Sequence, residues 1–499
     1  MRCDNENQIQ RNMRKLFLTL CLFVLTCCAI NAQQVFDVKL WEGGMPNTNG
    51  IDSQPEDKSK GNYAPEMRVF LPDSGSATGR MVIACPGGGY SHLSLDNEGY
   101  NWAPYFNKLG IAYAVLKYRM PRGNREVPIS DAVRAFRLAH EHASQWHINP
   151  YDIGIMGFSA GGHLASTIAT HTDFDVCPAF QILFYPVISM DAARTHKGSV
   201  VGFLGNQRNN QNLIVEFSNE KQIQRHITPP AIIFLSNDDG AVPPITNGLA
   251  YYSALQSNSV DASLHIFPSG GHGWGYSLTF VWHQQMLDEL TAWLKRLKAP
   301  NSNAVKVACI GNSITDGAGI FMNDMNGYPA QLQQLLGSGY LVKNYGRSAR
   351  TLLRKGDRPY MNEYVWRDCQ VFNPDIVIIK LGTNDSKALN WKYKDDFSKD
   401  LQAMIDTLKS LPAHPKILLA YPIKAYDDNP HGIRDSVIVN GIIPILKKVA
   451  KKNKLSIIDL HTPFEGHREY FQGDGVHPNS KGAGAMAQII KDAILNIKK

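Results

Sequence analysis

The sequence predicts an α/β protein made of two successive units, each a largely parallel sheet covered on both faces by helices. At 499 residues the chain exceeds the size at which one hydrophobic core keeps growing. Short β-rich apolar runs alternate with helical stretches, as expected of parallel strands joined by crossover helices. The alternation pauses at Ala299-Pro300-Asn301-Ser302-Asn303, residues that break regular structure, and then restarts.

In chain order the first unit reads as strands MRVFL from Met67, RMVIACP from Arg80 and IAYAVLKY from Ile111, then a helix near Ser130 to Ser144. DIGIMGF from Asp152 leads into a helix after Ser159, followed by FQILFYP from Phe180 and AIIFLS from Ala231. The amphipathic stretch from Val281 to Leu297 closes the unit as a helix. The second unit restarts with VKVACIG from Val305, VKNYG from Val342, DIVIIKLG from Asp375, KILLAYP from Lys416 and LSIIDL from Leu455. Helical segments such as Phe397 to Leu408 and Ile433 to Lys452 separate them. The expected boundaries are 33–298 for the first unit, 299–303 for the linker and 304–499 for the second.

Residues 1–32 read as an export signal: Arg14 and Lys15 precede an apolar run from Leu16 to Ile30, and Ala32 offers a small residue for cleavage before Gln33. The run is short for a membrane span. Thr26 before Cys27 and Cys27 before Cys28 disfavour a lipid anchor, so a periplasmic or secreted protein is expected. The net charge of +7 is not gathered into a long basic tract. Lys447, Lys448, Lys451, Lys452 and Lys454 recur at near-helical spacing, which suits a solvated face and gives nucleic-acid binding no support. Outside the leader stand Cys85, Cys177, Cys309 and Cys369, none in a CxxC pair. Buried free thiols are expected, one disulfide being the alternative in an exported chain, and no metal or cofactor site is indicated.

Gly157-Phe158-Ser159-Ala160-Gly161 is a G-x-S-x-G pattern lying directly between a strand and a helix former. Glycines there let the backbone turn tightly and lift a serine hydroxyl clear of the sheet, with the next amide facing the developing oxyanion. Ser159 is therefore the nucleophile candidate and Ala160 N–H a donor. Pro86-Gly87-Gly88-Gly89-Tyr90 follows an earlier strand and brings Gly88 and Gly89 as further oxyanion candidates. After AIIFLS come Asp238 and Asp239, either of which fits the acid, and later Gly270-Gly271-His272-Gly273-Trp274 supplies the base. His92, His163 and His265 compete for that role. Tyr90, Trp274 and Tyr276 flank the loops and are candidate sugar or aryl contacts, core packing being the alternative.

In the second unit Gly311-Asn312-Ser313-Ile314-Thr315 follows a strand, as do Asn344-Tyr345-Gly346-Arg347-Ser348 and Gly382-Thr383-Asn384-Asp385. Asp474-Gly475-Val476-His477-Pro478 lies near the C-terminus.

The first unit resembles the α/β-hydrolase esterases that include acetyl xylan esterases and feruloyl-esterase-like proteins, whose acid opens a D-x-x-V-P pattern and so selects Asp239. Cys85-Pro86 stands where the related H-G-G-G motif begins with histidine. The four blocks of the second unit resemble the SGNH/GDSL hydrolases, a flavodoxin-like three-layer fold. That resemblance implies Ser313 as nucleophile, His477 as base, Asp474 as its acid, and the Ser313 and Gly346 amides with the Asn384 side chain as oxyanion hole. Asn312 replaces the usual aspartate, and Ala349 stands where block two often has glycine. Together the resemblances imply a tandem carboxylic ester hydrolase acting on acetylated or feruloylated polysaccharide such as xylan. A peptidase or lipase in the first unit, or one active esterase joined to a degenerate binding module, are the competing expectations.

Overall fold

The computed structural model describes residues 34–172, 176–426 and 428–497, so the expected leader lies outside the described residues. Before the linker, one sheet holds eight strands: β1 (Gln34–Lys39), β2 (Glu66–Leu71), β3 (Met81–Cys85), β4 (Ala112–Lys117), β5 (Ile153–Phe158), β6 (Gln181–Phe184), β7 (Ala231–Ser236) and β8 (Ala262–Phe267). Their order is β1-β2-β4-β3-β5-β6-β7-β8. β2 runs antiparallel to both β1 and β4, and every other pair is parallel. The central strands are buried at every position because helices cover both faces, which is why they read as continuous apolar runs. The edge strands β1 and β8 are mostly part-exposed and carry polar residues, so they left no such run in the sequence.

Helices Glu126–Glu141 and Ser159–His171 pack one face of this sheet through Ala135, Phe136, Leu164 and Ile168. Ala103–Lys108 and His283–Arg296 cover the other through Phe106, Met286, Leu290 and Trp293. Each such side chain contributes about 1.5–3 kcal/mol on full burial, which fixes the framework from which the loops project.

After the linker, β9 (Val305–Gly311), β10 (Tyr340–Gly346), β11 (Ile376–Lys380), β12 (Lys416–Ala420) and β13 (Ser456–Ile458) form a second sheet in the order β10-β9-β11-β12-β13, all parallel. Tyr328–Leu336 and Ser480–Asn496 cover one face, Tyr364–Phe372 and Phe397–Lys409 the other. The helix expected over 433–452 is interrupted. A short turn Asp435–Val437 and a π-helical turn Ile438–Ile442 precede the regular helix Ile443–Asn453. Pro444 has no amide to give the ladder, and Gly441 packs against the Trp391 ring, where a Cβ would come within 2.5 Å. The five lysines are exposed on this helix and its C-cap, opposite buried Leu446 and Val449.

The two units touch through segments that precede strands of the first sheet. Asn149 Nδ2 donates to Pro300 O of the linker at 2.6 Å, and Tyr151, just before β5, packs against the second core. His226, before β7, reaches Asp316 and Asp324 of the second unit. The first sheet thus meets its neighbour with the end opposite its motif loops, which follow β3, β5, β7 and β8. No helix among the described residues is long and apolar enough to cross a membrane.

Candidate active sites

Ser159 begins its helix immediately after β5 with φ +51, a conformation a non-glycine residue adopts under constraint. Gly161 makes the turn feasible, since a Cβ there would lie 2.0 Å from Cys85 O. Ser159 Oγ stands 2.8 Å from His272 Nε2, and His272 Nδ1 stands 2.7 Å from Asp239 Oδ2. The other Asp239 oxygen accepts the Ala241 and Val242 amides, both at 2.9 Å, so its carboxylate is oriented before the histidine arrives. Asp238 instead accepts the amides of Gly270 and Gly271 at 3.3 and 2.8 Å and shapes the loop that carries His272. The choice between the two aspartates falls on Asp239.

The competing histidines are engaged elsewhere. His163 is buried, bonded to Tyr90 and to Phe217 O, and burial pushes its pKa down to about 4. His265 lies on β8 with its ring stacked on Phe234, and His92 is exposed beside Ser91.

In the glycine loop the Gly87 amide is spent on Glu98 Oε2 at 2.9 Å. Among the described residues, the Gly88, Gly89 and Ala160 amides make no recorded hydrogen bond, which leaves them for an oxyanion. Glu98 carries no motif signal, yet it links both halves of the site. Its second oxygen accepts Tyr185 OH at 2.8 Å, Tyr185 OH accepts the Gly275 amide at 2.9 Å, and the Tyr185 ring meets the His272 edge at 4.8 Å. Burial raises the Glu98 carboxyl against the lowering by Tyr185 and Gly87. His196, also without a motif, borders Gly89 and lies in the field of His272.

The expected aromatic contacts need correction. Tyr90 is 2% exposed, its hydroxyl held by His163 and its ring against Phe203, so it is a core residue. Trp274 is 6% exposed, stacked on Phe280 at 4.2 Å with Nε1 donating to Ser236. Tyr276 is part-exposed but leans on Trp102 and His283.

In the second unit Ser313 Oγ stands 2.8 Å from His477 Nε2, and His477 Nδ1 stands 2.6 Å from Asp474 Oδ2. The Val476 and His477 amides both donate to Asp474 Oδ1 at 3.0 Å, and His431 Nε2 adds a contact to Oδ2 at 3.1 Å. Burial raises Asp474, but these bonds outweigh it and hold the carboxyl well below the usual range. His431, Asp474 and His477 bring donor atoms within 4.8 Å of one another. Both ring nitrogens of His477 are committed to the triad, so the cluster is arranged for proton transfer.

The oxyanion hole of this site also needs correction. The Gly346 amide is spent on Asn344 Oδ1 at 2.9 Å, and those of Arg347 and Ser348 on Gly311 O and Asp316 Oδ2. Gly346 serves close approach, since a Cβ there would lie 2.1 Å from Asp316 N. Ala349 is the first residue of the loop whose amide makes no recorded bond among the described residues, and its φ of +66 explains the frequent glycine at this place. Asn384 Nδ2 donates one proton to Arg350 O at 3.1 Å, beside Ala349, and keeps a second to give. The candidate donor set is therefore Ser313 N–H, Ala349 N–H and Asn384 Nδ2.

Below this hole, Asn312 Oδ1 accepts the Ile314 amide and faces the fully buried Lys380 Nζ at 3.4 Å, whose pKa burial pushes well down. Cys85, Cys177, Cys309 and Cys369 are all free, so no disulfide forms among the described residues.

Each site thus aligns a hydroxyl, an imidazole and a carboxylate beside unspent donors, the arrangement required for acyl transfer through a serine ester. Residues 67–251 match the BD-FAE family model, and residues 309–485 match that of the GDSL-like Lipase/Acylhydrolase family. An acetylxylan esterase from Xylanibacter ruminicola is 46% identical over 499 aligned residues, spanning 96% of this chain and 99% of that protein. The chain belongs to the acetylxylan esterase family. It carries matches to both family models in one polypeptide, and it is a carboxylic ester hydrolase. The endo-1,4-beta-xylanase B of Butyrivibrio fibrisolvens shares 32% identity over 42% of this chain and 35% of its own length. Among solved structures, an acetyl ester-xyloside bifunctional hydrolase from Caldicellulosiruptor lactoaceticus is 32% identical, covering 52% of this chain and 95% of its own, with a TM-score of 0.45.

Proposed function

We propose that this esterase is exported and removes acetyl groups from xylan or a similar plant polysaccharide at two independent sites. The observation that carries this reading is the presence of two complete serine triads in a chain aligned end to end with an acetylxylan esterase. At each site the histidine takes the serine proton as Oγ attacks the acetyl carbonyl, and the oxyanion is held by the amide donors. Collapse of the intermediate breaks the bond to the sugar oxygen, which leaves with the proton from the imidazolium. Water then attacks the acetyl-serine with the same histidine as base, releasing acetate and restoring the hydroxyl.

Feruloyl esters stand as a second substrate class for the first site. Tyr90 and Trp274 are withdrawn into the core, which favours the small acetyl group.

The test compares wild type with Ser159→Ala, Ser313→Ala and the double variant, measuring acetate and ferulate released from acetylated and feruloylated xylan. Residual acetate release in each single variant and none in the double supports two working sites. Loss of all ester activity in one single variant reduces the chain to one active site, and activity confined to peptides or long acyl chains overturns the substrate class. N-terminal sequencing of protein from the culture medium, expected to begin at Gln33, tests export.

A further inference from the structure

His226 belongs to the first unit, yet its side chain ends among acidic groups of the second. Nε2 lies 3.0 Å from Asp316 Oδ1, and Nδ1 hydrogen bonds to Asp324. The side chain is 7% exposed and the backbone is left-handed, with φ +67, so the imidazole is held rather than draped over a surface. Asp316 is the last residue of the short helix Ser313–Asp316 that starts at the second nucleophile. Its other oxygen accepts the Ser348 amide at 3.1 Å and also the Ser348 hydroxyl. Ser348 immediately precedes Ala349, the residue whose amide is left for the oxyanion.

We propose that His226 is a positioning residue for the second active site, supplied across the unit boundary: by fixing Asp316 it fixes Ser348 and, through it, the Ala349 donor. The chain His226, Asp316, Ser348, Ala349 runs from one unit to the reacting centre of the other. Burial opposes a charge on His226, but Asp324 and Asp316 outweigh it and lift the imidazole to about 9, so both ring nitrogens donate, one to each carboxylate. Arg225, 3.9 Å from Asp316, and Lys343, in the field of Asp324, add positive charge on the same side, with the Cys177 thiol facing Lys343. Deprived of His226, Asp316 is a largely buried carboxylate short of its principal cation, and a group in that position turns toward solvent or pairs anew. Either motion drags Ser348 with it.

This inference rests on Ser313 being an active nucleophile, so it is tested in full-length chains. In a Ser159→Ala background only the second site reports. There, His226→Ala is expected to lower kcat for acetate release about tenfold, less than the ~100- to 1000-fold cost of losing an oxyanion donor outright, with KM changed less than about twofold. Ser348→Ala is expected to match it, and the pair combined to cost no more than either alone, because both break one linkage. First-site turnover in a Ser313→Ala, His226→Ala chain reports that the protein is folded. Additive losses, or a kcat equal to the parent's, overturn the inference while leaving the proposed function standing. An inactive Ser159→Ala parent overturns both.

Discussion

Asp239 and Asp238 are consecutive in the chain but serve different partners: Asp239 Oδ2 meets the His272 ring at 2.7 Å, whereas Asp238 holds the two amides just before that histidine. Replacing Asp239 with asparagine keeps the shape but reverses the hydrogen-bonding sense, and in triads of this kind such a change costs about 10⁴-fold in kcat. Asp239→Asn in a Ser313→Ala background is therefore expected to lose about three to four orders of magnitude in ester hydrolysis. Asp238→Asn keeps an acceptor oxygen for the loop amides and is expected to stay within about threefold of the parent. Steady-state kinetics of the two variants side by side checks the assignment.

Gly346 serves close approach, and Ala349 rather than Gly346 keeps the unspent amide. Gly346→Ala forces a methyl onto the Asp316 amide and is expected to cost about 1–3 kcal/mol of stability together with most second-site turnover. Ala349→Gly removes left-handed strain while adding freedom to the unfolded chain, so stability changes by less than about 1 kcal/mol and turnover persists. Denaturant melts paired with kcat in the Ser159→Ala background separate the two outcomes.

The contact between the units is expected to weaken at alkaline pH. His226 is raised from 6.5 to about 9 in the fold, so its contribution is fully present below pH 6.5 and is lost as pH rises through about 9. Asp316 is lowered, burial being outweighed by its bonds to His226 and Ser348, so its contribution is present above pH 3.8 and fades on acidification. Melting temperature followed from pH 6 to pH 10 is expected to fall more steeply for the wild type than for His226→Gln. Parallel curves would argue against this account.

Glu98→Ala leaves the Gly87 amide and the Tyr185 hydroxyl without their shared acceptor, at a cost of about 1–3 kcal/mol for each buried orphan. First-site kcat is expected to fall, because the oxyanion loop and the His272 support both lean on this carboxylate. Second-site activity of the same protein, measured after a Ser159→Ala change, should be untouched.

Among the described residues the four cysteines are free, and burial raises the thiols of Cys85, Cys177, Cys309 and Cys369, which keeps them unreactive. Reductant should leave the melting temperature unchanged, and mass spectrometry after brief iodoacetamide treatment of the native protein should find little alkylation.

Local sequence signalled the turns that carry both triads, because a nucleophile after a strand and an acid-histidine loop each need particular neighbours within a few residues. The buried central strands were legible for the same reason, a continuous apolar run. Glu98, His431 and His226 were not, since each works through partners between 11 and 98 residues away and occupies no patterned position. The second oxyanion donor was misplaced because the sequence marks where a glycine sits, not which amide has already been spent. Tyr90 and Trp274 stand next to catalytic glycines in the chain but point into the core, a direction that loop backbone alone decides.

The first unit touches the second at the head of its parallel strands and carries its nucleophile at their tail, so roughly 20 Å of sheet separates the touching end from Ser159. The first nucleophile therefore stands at the far end of its sheet from the contact, whereas the short helix Ser313–Asp316 that begins at the second lies at that contact. On the proposed two-site reading, fusing the units delivers two reactive serines in each encounter with the polymer.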